Sequence, residues 1–391
     1  MLNTSLSPWP SFTQEEADAV SKVLLSNKVN YWTGTECREF EKEFAAFAGT
    51  QYAVALSNGT LALDVALKAM GIGAGDDVIV TSRTFLASAS CIVTAGANPV
   101  FADVDLNSQN ISAETIKAAL TPNTKAVIVV HLAGMPAEMD GIMDLAKEHD
   151  LWVIEDCAQA HGAKYKGKSV GSIGHVGAWS FCQDKIMTTG GEGGMVTTND
   201  KELWSKMWSY KDHGKSYDAV YHREHAPGFR WLHESFGTNW RMMEMQAVIG
   251  RIQLKRMPEW TARRQAHAVK LAESLGKFSS IRLIEVADYI EHAQYKFYAF
   301  VKPEHLKEGW TRDRIVSELN ARKVPCYQGS CSEVYLEKAF DNTPWRPKER
   351  LKNAIQLGDT SLMFLVHPTL TDDEIAFCKE HIEAVLAEAT A

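Results

Sequence analysis

The sequence predicts an α/β fold: a large doubly wound domain on a mostly parallel, seven-stranded sheet, followed by a smaller C-terminal α+β domain. Three observations carry that expectation. From about residue 50 to 200, short runs rich in β-branched residues alternate with longer segments of helical spacing, the pattern of repeated strand-helix-strand units. Most of the runs are near-continuously apolar, which marks strands covered on both faces. Beyond about residue 276, short strands and helices are mixed.

In chain order, the first 30 residues carry one helix, Gln14 to Leu25, to which the sequence assigns no partner. The apolar runs are Tyr52 to Leu56, Asp77 to Thr81, Pro99 to Val104, Lys125 to His131, Trp152 to Asp156, Gly177 to Phe181 and Gly194 to Thr198. Amphipathic stretches lie between them: Leu61 to Met70, Ala87 to Ala95, Ala113 to Leu120 and Met139 to Glu148. Residues 241–275 are helix-rich, and Pro258 should kink or split them because proline removes an amide donor. This segment reads as a bridge. A strand over Tyr295 to Val301 and helices over Arg312 to Asn320 and Asp372 to Ala387 follow. The division expected is 1–30 for an N-terminal segment, 31–250 for the large domain, and 251–391 for the bridging helix and small domain.

Composition narrows the class. With 391 residues, 45% hydrophobic and 23% charged, the chain resembles ordinary globular proteins and not disordered or collagen-like ones. Its 41 Lys+Arg against 49 Asp+Glu give a charge of -8, whereas nucleic-acid binders carry a basic excess. Seven scattered cysteines without a CxxC pair fit a reduced, cytoplasmic protein with no metal site. No stretch approaches the ~18 apolar residues of a membrane span, and the N-terminus lacks a signal peptide's pattern.

In such a sheet, ligands bind at the carboxyl ends of the strands, so polar residues just after apolar runs come first. Ser57-Asn58-Gly59-Thr60 precedes a helix; it offers either a phosphate cradle or a plain helix cap. Asp156 ends a buried strand and is followed by Gln159 and His161; a carboxylate there needs a cationic or N–H partner. Lys185 stands between a strand ending near Ser180 and the glycine-rich Gly190-Gly191-Glu192-Gly193-Gly194. Enclosure of a lysine lowers its amine pKa and makes the nucleophilic form accessible. Together these groups match what pyridoxal phosphate requires: an amine for its aldehyde, a phosphate cup, and a carboxylate that keeps the pyridine nitrogen protonated. Phe85 could stack on the ring. Other features carry less. Gly71-Ile-Gly73-Ala-Gly75 precedes a strand and reads as a turn, Cys326 and Cys331 lack companions for a metal or sulfur-transfer site, and His161 and His175 read as hydrogen-bonded structural residues.

On these residues the chain resembles the sugar aminotransferases of the DegT/DnrJ/StrS type, within the fold type I pyridoxal-phosphate enzymes. The likeness runs nearly end to end, from VNYWTG (29–34) and FEKEF (40–44) to His367-Pro368. Its most specific parts are SNGTLAL, FADVD, VIEDCAQAHGA, WSF…K…TTGGEGGM and GTNWRM. The resemblance implies that Lys185 is the catalytic lysine that binds the cofactor aldehyde, Asp156 the partner of the pyridine nitrogen, and Gln159 a contact to the ring hydroxyl. It implies that Gly59, Thr60 and Ser180 hold the phosphate, that Phe85 stacks, and that Asn239 reaches the phosphate of a neighbouring subunit, so that a homodimer shares its active sites. Two features bear on the reaction. The turn after the lysine has one more glycine than is usual in the family, and some relatives carry histidine at the lysine position and dehydrate sugars instead. The reading drawn is a transaminase that moves an amino group from L-glutamate to a keto group of a nucleotide-linked sugar, in amino-sugar or polysaccharide biosynthesis. The alternatives are a sugar dehydratase or lyase using the same cofactor, and a non-catalytic sensor of the same fold. Tyr31 and Trp32 are candidates for substrate specificity.

Overall fold

Seven apolar segments do assemble into one sheet. The structure, a computed structural model, describes residues 6–225, 227–228 and 230–391. In chain order the strands are β1 (Tyr52–Leu56), β2 (Asp77–Thr81), β3 (Asn98–Ala102), β4 (Thr124–Val130), β5 (Trp152–Asp156), the two-residue β6 (Lys164–Tyr165) and β7 (Lys168–Ser169), then β8 (Val176–Ser180) and β9 (Gly194–Thr198). The main sheet has the order β1-β9-β8-β5-β4-β2-β3. Only β9 runs against the others, pairing antiparallel with β1 and β8, while β2, β3, β4, β5 and β8 pair in parallel. Val78, Val80 and Ile128 belong to one core cluster and Ile79, Val127 and Val129 to another, so the strands are covered on both faces.

β1, β2, β5 and β9 coincide with the predicted runs, whereas three strands are displaced by a residue or two: β3 begins at Asn98 and stops at Ala102, β4 spans 124–130, and β8 spans 176–180. An apolar run buried on both faces has no alternation to mark its ends. The helices Gly59–Ala69, Ala87–Thr94, Ala113–Ala119 and Met139–Glu148 connect the strands. Asn58 caps the first by accepting from the Leu61 amide at 3.0 Å, and Ser112 caps the third from Thr115.

Of the kink or split expected at Pro258, the split does not occur. Glu244–Leu275 is one helix of 32 residues with Pro258 inside it, not two pieces. Pro258 is exposed, so water can satisfy the carbonyl whose partner amide is missing. The ends are held separately: Ala247 and Met257 sit in the large core, and Ala268, Leu271 and Leu275 in a second core. Here too the N-terminal helix finds its partner. Glu16 of Gln14–Leu25 accepts from Arg256 at 2.8 Å and Gln253 at 3.3 Å.

The second core covers a four-stranded antiparallel sheet. Its strands are β10 (Ile281–Leu283), β12 (Phe297–Val301), β13 (Cys326–Tyr327) and β14 (Ser361–Phe364), in the order β10-β12-β14-β13; β11 (Ile290–Glu291) instead joins β6 and β7. Helices Arg312–Ala321 and Asp372–Ala389 contribute Ile315, Leu319, Ile382 and Val385.

Candidate active site

The carboxyl ends of β1, β5 and β8 and the loop after β2 surround one cavity of about 620 Å³. Gly59, Thr60, Phe85, Asp156, Gln159, Ser180 and Lys185 all line it. Parallel strands that end together place these residues side by side although up to 126 positions separate them. Asn239 does not line the cavity of its own chain and is exposed. Its neighbour Trp240 is fastened to the end of β1, where its carbonyl accepts from the amide and hydroxyl of Ser57, each at 3.0 Å.

Close backbone approach builds one wall. A Cβ on Gly59 would lie 2.5 Å from Ser180 Cβ, so only glycine lets the helix start reach β8. The first amides of that helix have no carbonyl four residues earlier to bond, and they supply an anion cradle. Gly194 pairs with both Leu56 and Ser180, and a Cβ there would lie 2.2 Å from the Asn58 carbonyl oxygen. Backbone must then move. Gly194→Ala should therefore destabilise the fold by about 1–3 kcal/mol and weaken cofactor binding together with it. Thermal melts of the apoprotein and a cofactor titration check this, and an unchanged melting temperature with unchanged affinity would refute it.

Backbone geometry and two hydrogen bonds fix the glycine-rich turn. Gly190 and Gly191 both have positive φ, 88° and 120°, a conformation that suits glycine alone. The Gly191 amide donates to Thr188 Oγ1 at 3.2 Å, and Gln246 Nε2 donates to the Glu192 carbonyl at 2.7 Å. Glu192 thereby lines the cavity.

Asp156 is the buried charge of the site. Its Oδ2 accepts from Ser88 Oγ at 2.8 Å and its Oδ1 from the Ala158 amide at 3.1 Å. Burial pushes its pKa up, while those two donors and the Lys185 charge pull against it. It has no ion-pair partner among the described residues. A buried acceptor-only carboxylate facing a cavity fits a cationic ring N–H of pyridoxal phosphate. Gln159 Oε1 is already taken by the Ala133 amide at 2.8 Å, which leaves its amide NH₂ as a donor, the type a ring hydroxyl or phenolate accepts.

Lys185 Nζ stands 3.8 Å from Asp184 Oδ1 and 5.4 Å from the Tyr295 ring centroid. The Tyr295 hydroxyl donates to Asp184. From the N-terminal segment, Trp9 Nε1 donates to the Lys185 carbonyl at 2.8 Å. The lysine's main chain and its carboxylate neighbour are thus held from remote parts of the chain. Phe85 is 71% exposed, an uncovered ring at the cavity mouth.

Several expectations change. Tyr31 is buried, with its hydroxyl between Glu41 at 3.0 Å and Trp208 Nε1 at 3.1 Å and the Lys211 ammonium 3.4 Å over its ring. It is a core residue of its own chain. Trp32 packs edge-on to Trp208. His161 sits among Phe44, Trp179 and Phe181, where burial pushes its pKa to about 3, so it stays neutral. His175, by contrast, is hydrogen-bonded as expected: its Nδ1 accepts from the Val153 amide at 2.9 Å. Sequence reasoning missed Ser88, Thr84, Trp9 and Tyr295. Tyr295 carries one signal: the apolar pattern places it in a strand that in the structure begins only at Phe297, and the loop position frees its hydroxyl for Asp184.

Comparison with known proteins agrees with this geometry. The model of the DegT/DnrJ/EryC1/StrS aminotransferase family matches residues 10–383. GDP-perosamine synthase of Escherichia coli O157:H7 is 42% identical, over 95% of this chain and 96% of its own. UDP-N-acetyl-3-dehydro-alpha-D-glucosamine 3-aminotransferase of Acidithiobacillus ferrooxidans is also 42% identical, over 91% and 90%. Among solved structures, the aminotransferase from Psychrobacter cryohalolentis superimposes with a TM-score of 0.96 at 65% identity, covering 98% of this chain and 99% of that one. A buried carboxylate, a glycine-made anion cradle and an exposed-edge lysine around one cavity fit the cofactor of that group: the chain belongs to the DegT/DnrJ/EryC1/StrS aminotransferase family and uses pyridoxal phosphate.

Proposed function

We propose that this protein moves an amino group from L-glutamate to a keto group of a nucleotide-linked sugar, in amino-sugar or polysaccharide biosynthesis. The observation that carries the reading is the placement of Lys185 and Asp156 on one cavity with the N-terminus of the helix Gly59–Ala69. Bound pyridoxal phosphate supplies an electrophilic aldehyde and an electron-withdrawing ring. Gly59, Thr60 and Ser180 bind the phosphate at the helix N-terminus, Phe85 covers the ring, and Asp156 balances the charge on the ring nitrogen. The Lys185 amine anchors the aldehyde. Its Nζ would also be placed to take a proton from the carbon that bears the amino group and deliver it to the cofactor's aldehyde carbon, on the other side of the nitrogen. Asp184, with Tyr295 bound to it, keeps that amine close.

The active unit proposed is a homodimer in which Asn239 reaches the partner's phosphate site. Its support is the exposure of apolar side chains on the same segment, Phe236 at 99% and Trp231 at 93%, which a folded chain ordinarily covers. A cytoplasmic location is supported by the seven cysteines, all free. No helix among the described residues is long and apolar enough to cross a membrane.

The two relatives named above share 42% identity with this chain and act on sugars linked to different nucleotides, so the proposal is for the class of nucleotide-linked keto sugars. Holoenzyme mixed with L-glutamate should lose its visible band and release 2-oxoglutarate. Adding GDP- and UDP-linked keto sugars in turn should restore the band with one of them and yield an amino sugar. Release of a deoxygenated keto sugar without nitrogen uptake would overturn the transaminase reading in favour of a dehydratase.

A further inference from the structure

Asp156 meets a chain of hydroxyls and has no ion-pair partner among the described residues. Ser88, in the first turn of the helix Ala87–Thr94, donates its Oγ–H to Asp156 Oδ2 at 2.8 Å. Its Oγ also lies 2.9 Å from Thr84 Oγ1. All three groups are buried. A serine hydroxyl has one proton, and an ionised carboxylate only accepts. With that proton given to Asp156, Ser88 Oγ is left as an acceptor, and Thr84 must be the donor. The relay therefore has one sense, Thr84 to Ser88 to Asp156, as long as Asp156 is ionised. A protonated Asp156 would donate to Ser88 and reverse it.

The backbone fixes the relay in place. The Thr84 amide donates to the Cys331 carbonyl at 3.1 Å, and the Val334 amide donates to the Ser82 carbonyl at 2.9 Å. The loop after β2 is thus pinned to the 331–334 segment on both sides of Arg83. Buried hydrogen bonds to a carboxylate favour its charged form, and burial opposes it. The hydroxyl chain supplies the favourable part at Oδ2, because the Ala158 amide reaches only Oδ1.

We propose that Ser88, oriented by Thr84, is a positioning residue that holds Asp156 as a carboxylate for the ring nitrogen of pyridoxal phosphate. The proposal rests on the role given to Asp156 above. It predicts an effect confined to ligands that have a ring nitrogen.

The test is a binding titration of the apoprotein, read by tryptophan fluorescence and absorbance, with pyridoxal phosphate and with its 1-deaza analogue, in which a C–H replaces that nitrogen. Ser88→Ala should weaken pyridoxal phosphate roughly tenfold while changing the analogue by less than about twofold, the scale expected for one hydrogen bond to a charged group. Ser88→Cys, which keeps the shape but donates weakly, should fall between and carries the test if Ser88→Ala does not fold. Thr84→Val, which leaves Ser88 without its donor, should give a smaller loss with the same preference. Equal weakening of both ligands would mean that Ser88 merely packs, and would overturn the proposal. A wild-type protein that binds both ligands alike overturns the role of Asp156 and the relay with it. A wild-type preference that Ser88→Ala leaves intact overturns the relay alone.

Discussion

Lys185→Ala should leave a folded protein that binds pyridoxal phosphate weakly, shows no long-wavelength absorption band, and turns over at least ~1,000-fold more slowly than the parent. The size follows from two functions residing in one atom. Nζ anchors the cofactor aldehyde and moves the proton between carbons, and no other amine lines the cavity among the described residues. His161 cannot substitute, because it is buried among aromatic rings and stays neutral. The fold should survive the change. The Lys185 side chain keeps a solvent-exposed edge of 17%, and its nearest carboxylate oxygen is 3.8 Å away, a contact of the kind that contributes little to stability. Lys185→Arg separates the two properties, since it keeps a positive charge near Asp184 but has no nucleophilic amine at neutral pH. It should be as inactive as the alanine variant. Small alkylamines added to Lys185→Ala should restore part of the turnover in proportion to their basicity. A Lys185→Ala enzyme that retains the band would mean that another amine carries the cofactor.

Much of this arrangement is legible in the residues alone. Apolar runs without alternation announce strands covered on both faces, and the rule that ligands gather at strand ends then singles out Asp156, Ser180 and the 57–60 turn. The ends of those runs are less legible for the same reason, as the displaced limits of β3 and β8 show. Local chemistry makes Pro258 a break, yet the two cores that grip Ala247 and Leu271 keep the helix whole. Ser88 and Trp9 carry no sequence signal of their part in the site, and Tyr295 none beyond its place at the start of an apolar run. Each acts through a contact with a residue 68, 176 or 111 positions away, and a single sequence shows neither that proximity nor which hydroxyl or indole has a free proton to give. Lysine and carboxylate reveal themselves by residue type and place; the groups that hold them are revealed only by packing.

Asp156→Asn should move stability and activity in opposite directions. In the apoprotein the carboxylate is a buried charge with no ion-pair partner among the described residues, and burial holds its pKa above that of an ordinary aspartate, against the pull of Ser88, the Ala158 amide and the more distant Lys185 charge. The folded state then binds the proton more tightly than the unfolded state, so the charge costs stability as pH rises through that window, and the full penalty remains above it. An amide has no such penalty. The introduced amide side chain can still be satisfied: its oxygen accepts from the Ala158 amide, its NH₂ donates to Ser88, and the Ser88 hydroxyl turns toward Thr84. Apo Asp156→Asn should accordingly melt above the parent at pH 7 to 8, with the gap closing toward pH 4. With cofactor bound, the sign reverses. A neutral amide cannot balance a charged ring nitrogen, and removing one member of a buried charge pair costs about 3–5 kcal/mol, or roughly 10²- to 10⁴-fold in kcat. Melting curves of the two apoproteins across pH, with kcat measured on the same preparations, check both halves. A variant that is less stable at pH 8, or one that turns over at the parent's rate, would show that Asp156 serves the fold and not the cofactor. A higher melting temperature together with lost turnover is the expected signature of a charge kept in place for its ligand at the expense of the empty protein.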